Sequence, residues 1–133
     1  MRLPQGERMP WGNSTKMPAV LIVEDEPLVR LGAVNIIEDA GFEVIEAASA
    51  DEAIRILEWR SDVRVVFTDI HMPGSMDGLK LAHAVRNRWP PIKIIVTSGR
   101  DLIADQVLPE GGRFFAKPYN TIEILGALRE WAI

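Results

Sequence analysis

The stretch "RVVFTDIHMPGSMDGLKLAHAVRNRW", residues 64–89, runs through a strand, a turn and a helix in quick succession. Residues 64–68, "RVVFT", are strand-like, rich in apolar and β-branched residues after Arg64, and Asp69 stands where the run should continue. Pro73 and Gly74 then break the chain direction. Residues 77–89 carry a helical pattern that Pro90 and Pro91 bring to an end. A strand feeding a helix across so short a turn is half of a β–α–β unit. The carboxylate at the strand's end fits a helix cap, a turn residue or a nucleophile, and the rest of the chain has to decide between them.

Outward from this unit the same alternation repeats. "AVLIV" (19–23) is a continuous apolar run, as expected of a strand covered on both faces. "EVIEA" (43–47), "IKIIVT" (92–97) and the short "RFFA" (113–116) are further strand candidates. Between them, residues 27–40 place Leu28, Leu31, Val34, Ile36 and Ile37 largely on one helical face, and Gly41 is set to stop the helix. Ser49 and Glu52 form a capping box ahead of "AIRILEW", and Asn120 and Glu123 repeat that signature before "IEILGALREWA". Strands alternating with helices predict an α/β fold, a mainly parallel sheet with helices on both faces. Right-handed crossovers make such a sheet doubly wound. The weak unit is "GRDLIADQVLPEGG" (99–112), where a short or irregular fourth helix is expected.

Bulk properties narrow the function classes. The 133 residues amount to one domain, 47% hydrophobic and 26% charged, as in ordinary globular proteins. A formal net charge of -4 gives no basic face for direct nucleic-acid binding. The absence of cysteine excludes disulfides and thiolate chemistry. No run is long enough for a membrane span and no signal peptide is evident, so a cytoplasmic protein is expected. Residues 1–17, rich in Pro, Gly and polar residues, read as a flexible extension with Met17 as an alternative start; residues 18–133 read as the folded domain. The four tryptophans, Trp11, Trp59, Trp89 and Trp131, suggest no aromatic platform.

Ligands of doubly wound sheets bind beyond the carboxyl ends of the strands. After the first strand stand Glu24, Asp25 and Glu26; after the third, Asp69; the fourth ends at Thr97 and Ser98, and the fifth runs into Lys117 and Pro118. Crowded carboxylates repel one another unless a cation intervenes. Mg²⁺ suits the place, because it takes hard oxygen ligands and keeps positions for water or phosphate. A carboxylate beside it can act as a nucleophile toward phosphorus. Lys117 and a hydroxyl from Ser98 or Thr97 would then balance charge on the transferred group.

At these residues the chain resembles the receiver domains of two-component response regulators, over residues 18–132. "VLIVEDEPLVR" is similar to the family's acidic-pair motif, "VVFTDIHMPGSMDG" to its phosphoacceptor loop, "VTSG" to its hydroxyl motif and "FFAKPY" to its Lys-Pro motif. The resemblance implies a five-stranded parallel sheet in the flavodoxin-like order 2-1-3-4-5. It implies Asp69 as phosphoacceptor, Asp25 as a Mg²⁺ ligand, Glu24 acting through a metal-bound water, and the His71 backbone carbonyl as a third protein ligand. Lys117 would pair with Asp69 at rest. Ser98, rather than Thr97, would be the switch hydroxyl, with Phe114 as the switch aromatic, and the peptide before Pro118 would be cis. The phosphoacceptor loop, "PGSMDG", reads one residue longer than the common form.

The expected function is a single-domain phosphoacceptor, not an enzyme, with Ile133 leaving no room for an output domain. Its partners would be a sensor histidine kinase or histidine phosphotransfer protein and an unidentified downstream protein, without nucleic acid or membrane insertion. The alternative is a receiver-like interaction module that works without phosphorylation. A phosphatase with an aspartyl nucleophile would want a second acid two residues beyond Asp69, where His71 stands.

Overall fold

The computed structural model describes residues 19–99 and 107–131. Among the described residues, nine elements follow in chain order: β1 (Ala19–Val23), α1 (Pro27–Asp39), β2 (Glu43–Ala47), α2 (Ala50–Trp59), β3 (Val63–Asp69), α3 (Gly78–Arg88), β4 (Lys93–Ser98), β5 (Arg113–Ala116) and α4 (Thr121–Trp131). All strand pairs are parallel and the sheet order is β2-β1-β3-β4-β5, the doubly wound order expected.

Alternate residues of each strand feed two separate cores. On one face Leu21, Val23, Val66, Ile94 and Val96 pack with Ala53 and Leu57 of α2 and Leu81 and Val85 of α3. On the other, Val20, Ile22, Val65, Phe67 and Ile95 pack with Val34 and Ile37 of α1 and Ile124 and Leu128 of α4. Every residue of β1 is therefore buried, which is why its sequence shows no polar alternation. Truncating a fully buried residue such as Leu21 or Leu81 to alanine would cost about 2–5 kcal/mol.

The helix starts follow their caps. Ser49 Oγ accepts from the Glu52 amide at 3.1 Å, while Glu52 Oε1 reaches back to the Ala48 amide at 2.7 Å. Asn120 Oδ1 accepts from the amides of Ile122 (2.8 Å) and Glu123 (3.2 Å). Asp77 caps α3 through the Lys80 amide at 2.9 Å, so that helix begins one residue later than its sequence pattern. Gly41, at φ 101°, turns the chain out of α1 as expected.

One helix face differs from its prediction. Leu28 and Leu31 are 77% and 52% exposed, and the buried stripe of α1 is Ala33, Val34 and Ile37. The helix therefore turns Ala33, Val34 and Ile37 to the sheet and leaves Leu28 and Leu31 toward solvent. In the weak unit, residues 107–112 contain a turn and no helix; the rest of the segment where a short or irregular helix is expected, residues 100–106, lies outside the described residues, as does the extension at 1–17. Among the described residues, no helix is long and apolar enough to cross a membrane.

Candidate functional site

The site is built from one row of side chains at the carboxyl edge of the sheet. In a parallel sheet, paired residues share a face and every second residue returns to it. Ile22, Phe67 and Ile95 all belong to the core under α1 and α4. Two positions beyond each stand Glu24, Asp69 and Thr97; Lys117 likewise stands two beyond Phe115, which packs on that core. The register pairs Asp69 directly with Thr97 and sets Ser98 against Ala116. Ser98, buried like Thr97, thus belongs by parity to the opposite face of the sheet. The geometry favours Thr97 over Ser98 as the hydroxyl beside Asp69.

Glu24, Asp25 and Asp69 each bring a carboxylate oxygen within 4.8 Å of the others. Glu24 and Asp69 are buried, and Asp25 is half-buried. Lys117 Nζ lies 3.0 Å from Glu24 Oε1 and 3.2 Å from Asp69 Oδ1, so one ammonium bridges two of the three acids. Burial works against the charge on Lys117. The hydrogen bond to Glu24 and the charges of Asp69 and Glu24 outweigh it and raise the lysine above its ordinary value. Tyr119 borders the same crevice. Burial, reinforced by Glu24 and opposed by Lys117, raises its phenol, and its ring meets Phe67 edge-on at 5.6 Å.

Glu24 makes further contacts at the edge of the cluster. Glu24 Oε2 accepts from the Glu26 amide at 3.1 Å, the Glu24 amide donates to Ala47 O at 3.0 Å, and the Glu24 carbonyl accepts from Arg30 at 2.7 Å. Glu24 therefore has a local capping contact in addition to its place in the cluster. Thr97 Oγ1 lies 3.5 Å from the Thr68 carbonyl, at the limit of a hydrogen bond. The His71 side chain is exposed in the loop after β3. Phe114 is half-buried on the α2/α3 side, paired with Val96 and packed on the core there. The Lys117–Pro118 peptide is cis.

Three oxygen-only side chains at such spacing suit a hard divalent cation such as Mg²⁺, which binds through one or two carboxylates and keeps open positions. Lys117 offsets only part of the cluster's charge, so the donor set fits that ion.

Two features went unread in the sequence. Gly78 begins α3 directly against the Asp69 backbone, a closeness that a glycine after a capping aspartate only hints at. Ser75, the extra residue of the loop, donates to the Asp51 carboxylate on α2 at 2.8 and 3.1 Å. A cleft of about 470 Å³ lies at the opposite end of the sheet among Trp59, Arg88, Trp89 and Pro90, away from the acids.

Comparison with known proteins agrees with this geometry. A family model described as "Response regulator receiver domain" matches residues 20–129. The chain is 38% identical over 116 residues, 84% of its length, to sensor kinase CckA of Brucella abortus. It is 36% identical over 110 residues, 80% of its length, to aerobic respiration control protein ArcA of Escherichia coli K12. It spans only 12% and 45% of those two proteins. Among solved structures, the receiver domain of hybrid histidine kinase CckA aligns over 86% of this chain and 99% of its own, with TM-score 0.72 and 28% identity. A response regulator receiver protein from Sinorhizobium medicae aligns over 88% and 95%, with TM-score 0.79 and 25% identity.

Proposed function

Since the chain belongs to the response regulator receiver family, we propose that it accepts a phosphoryl group on Asp69, from a histidine kinase or histidine phosphotransfer protein, with Mg²⁺. The observation that carries this reading is the set of three carboxylates bridged by Lys117 at the carboxyl edge of the sheet. A purely structural aspartate would not need to be buried beside two other acids and a lysine.

In this reading an Asp69 carboxylate oxygen attacks phosphorus, and the donor's histidine nitrogen leaves. Asp25, Asp69 and the His71 carbonyl would hold Mg²⁺, with Glu24 acting through a bound water. The ion would supply charge neutralisation at the transferring oxygens. Lys117 moves from the Asp69 carboxylate to a phosphoryl oxygen, keeping its bond to Glu24 as an anchor. Thr97 donates its hydroxyl to another phosphoryl oxygen, leaving its long contact to Thr68. Phe114, on the opposite face of β5, repacks as β4 shifts, and the change reaches a protein partner as a shift in population. Ser98 remains the second choice for the hydroxyl. Such chemistry belongs in the cytoplasm, beside the kinase. Incubation with a small phosphodonor and Mg²⁺ tests the reading: the wild type should gain a phosphoryl adduct that Asp69→Asn lacks. Binding of a partner that Asp69→Asn leaves unchanged would instead support a phosphorylation-independent module.

A further inference from the structure

The acidic loop after β1 is held from outside the carboxylate cluster. We propose that Arg30 and Glu46 form a positioning brace for the metal site, acting through the Glu24 carbonyl without touching the ion; this rests on the Mg²⁺ reading above. Arg30, on the first turns of α1, donates through Nη1 to the Glu24 carbonyl at 2.7 Å and through Nε to Glu46 Oε1 at 3.0 Å. Its own amide donates to Glu26 O at 2.9 Å, so side chain and backbone grip both ends of the loop. Glu46 lies on β2 immediately before Ala47, whose carbonyl holds the Glu24 amide at 3.0 Å.

This matters for Asp25 in particular. The Glu24 carbonyl and the Asp25 amide share one planar peptide, so fixing that oxygen fixes the plane from which Asp25 departs. Among the described residues Asp25 makes no side-chain hydrogen bond of its own, so its carboxylate is aimed by its backbone. The arginine fork can serve two acceptors in fixed geometry, which a lysine point charge cannot. The Arg30 side chain is 20% exposed, and Glu46 is 50% exposed.

Arg30 has two opposed effects on a cation. Its charge repels Mg²⁺, while its hydrogen bond orders the loop that binds Mg²⁺. Glu46, paired with Arg30 at 3.0 Å, opposes that repulsion, and the proposal is that the ordering effect wins. Partners that orient metal ligands commonly change affinity by about 10–100-fold when removed.

The test is calorimetric titration of the whole chain with Mg²⁺ and no phosphodonor. Arg30→Ala should weaken Mg²⁺ binding by about tenfold. Arg30→Lys should fall between that variant and wild type, and the half-exposed Glu46→Gln should weaken binding to a lesser degree. Binding by Arg30→Ala as tight as wild type, or tighter as simple charge removal requires, overturns the brace and leaves the metal reading standing. Absence of saturable binding by wild type overturns both. A second readout needs no metal: amide exchange at Asp25 and Glu26 should be faster in Glu46→Gln and Arg30→Lys than in wild type, and unchanged exchange counts against the brace.

Discussion

Gly78 stands directly against the backbone of Asp69. A Cβ placed on it would lie 1.7 Å from the Asp69 carbonyl oxygen, and its own amide donates to Ile70 O at 2.8 Å. The start of α3 and the end of β3 are thus in contact without any side chain between them. Gly78→Ala must push one of them away, at a cost of about 1–3 kcal/mol or more. Denaturant melts should show that loss, together with lower phosphoryl uptake as Asp69 shifts; a neutral Gly78→Ala would mean that the contact is slack.

Lys117 gives a pH prediction. Its pKa is raised on folding, so its contribution to stability is fully present below the unfolded value near ~10.4 and is lost as pH rises through the higher folded value. The stability difference between wild type and Lys117→Met should therefore stay constant from neutral pH to about pH 9 and change only in more alkaline solution. Unfolding curves across that range would contradict this if the difference already closed near neutrality.

Thr97 and Ser98 can be separated by function. The register pairs Thr97 with Asp69 and Ser98 with Ala116. Thr97→Ala should weaken the phosphorylation-induced change in the β4–β5 region more than Ser98→Ala, with Asp69 still phosphorylated in both. Amide exchange or NMR shifts with and without phosphodonor would report it, and a larger defect in Ser98→Ala would return the role to Ser98.

Two serines test which hydrogen bonds hold the fold. Ser49 caps α2 on its first turn, so Ser49→Ala should cost about 1 kcal/mol. Ser75 meets Asp51 on an exposed loop, so Ser75→Ala should stay within about 0.5 kcal/mol. Denaturant melts of the two variants make the comparison.

Much of this architecture was legible from chemistry at strand ends. The all-apolar β1 announced a strand covered on both sides; Glu24, Asp25 and Lys117 follow a strand and Asp69 ends one. Counting along the strands also puts Thr97 on the face of Asp69, since both stand two residues beyond a buried residue of the same core. Other features depend on tertiary placement. Leu28 and Leu31 fit an amphipathic stripe, but whether a stripe is covered depends on where the helix sits above the sheet. Gly78 and Arg30 act on residues that the fold, and not local periodicity, brings beside them.

The central claim is that Asp69 is a Mg²⁺-dependent phosphoacceptor, and intact-mass measurement after treatment with a small phosphodonor tests it most directly. The account predicts a single phosphoryl adduct on wild type, abolished by a chelator and by Asp69→Asn. An adduct of equal yield on Asp69→Asn, or none on folded wild type with Mg²⁺ present, would contradict it.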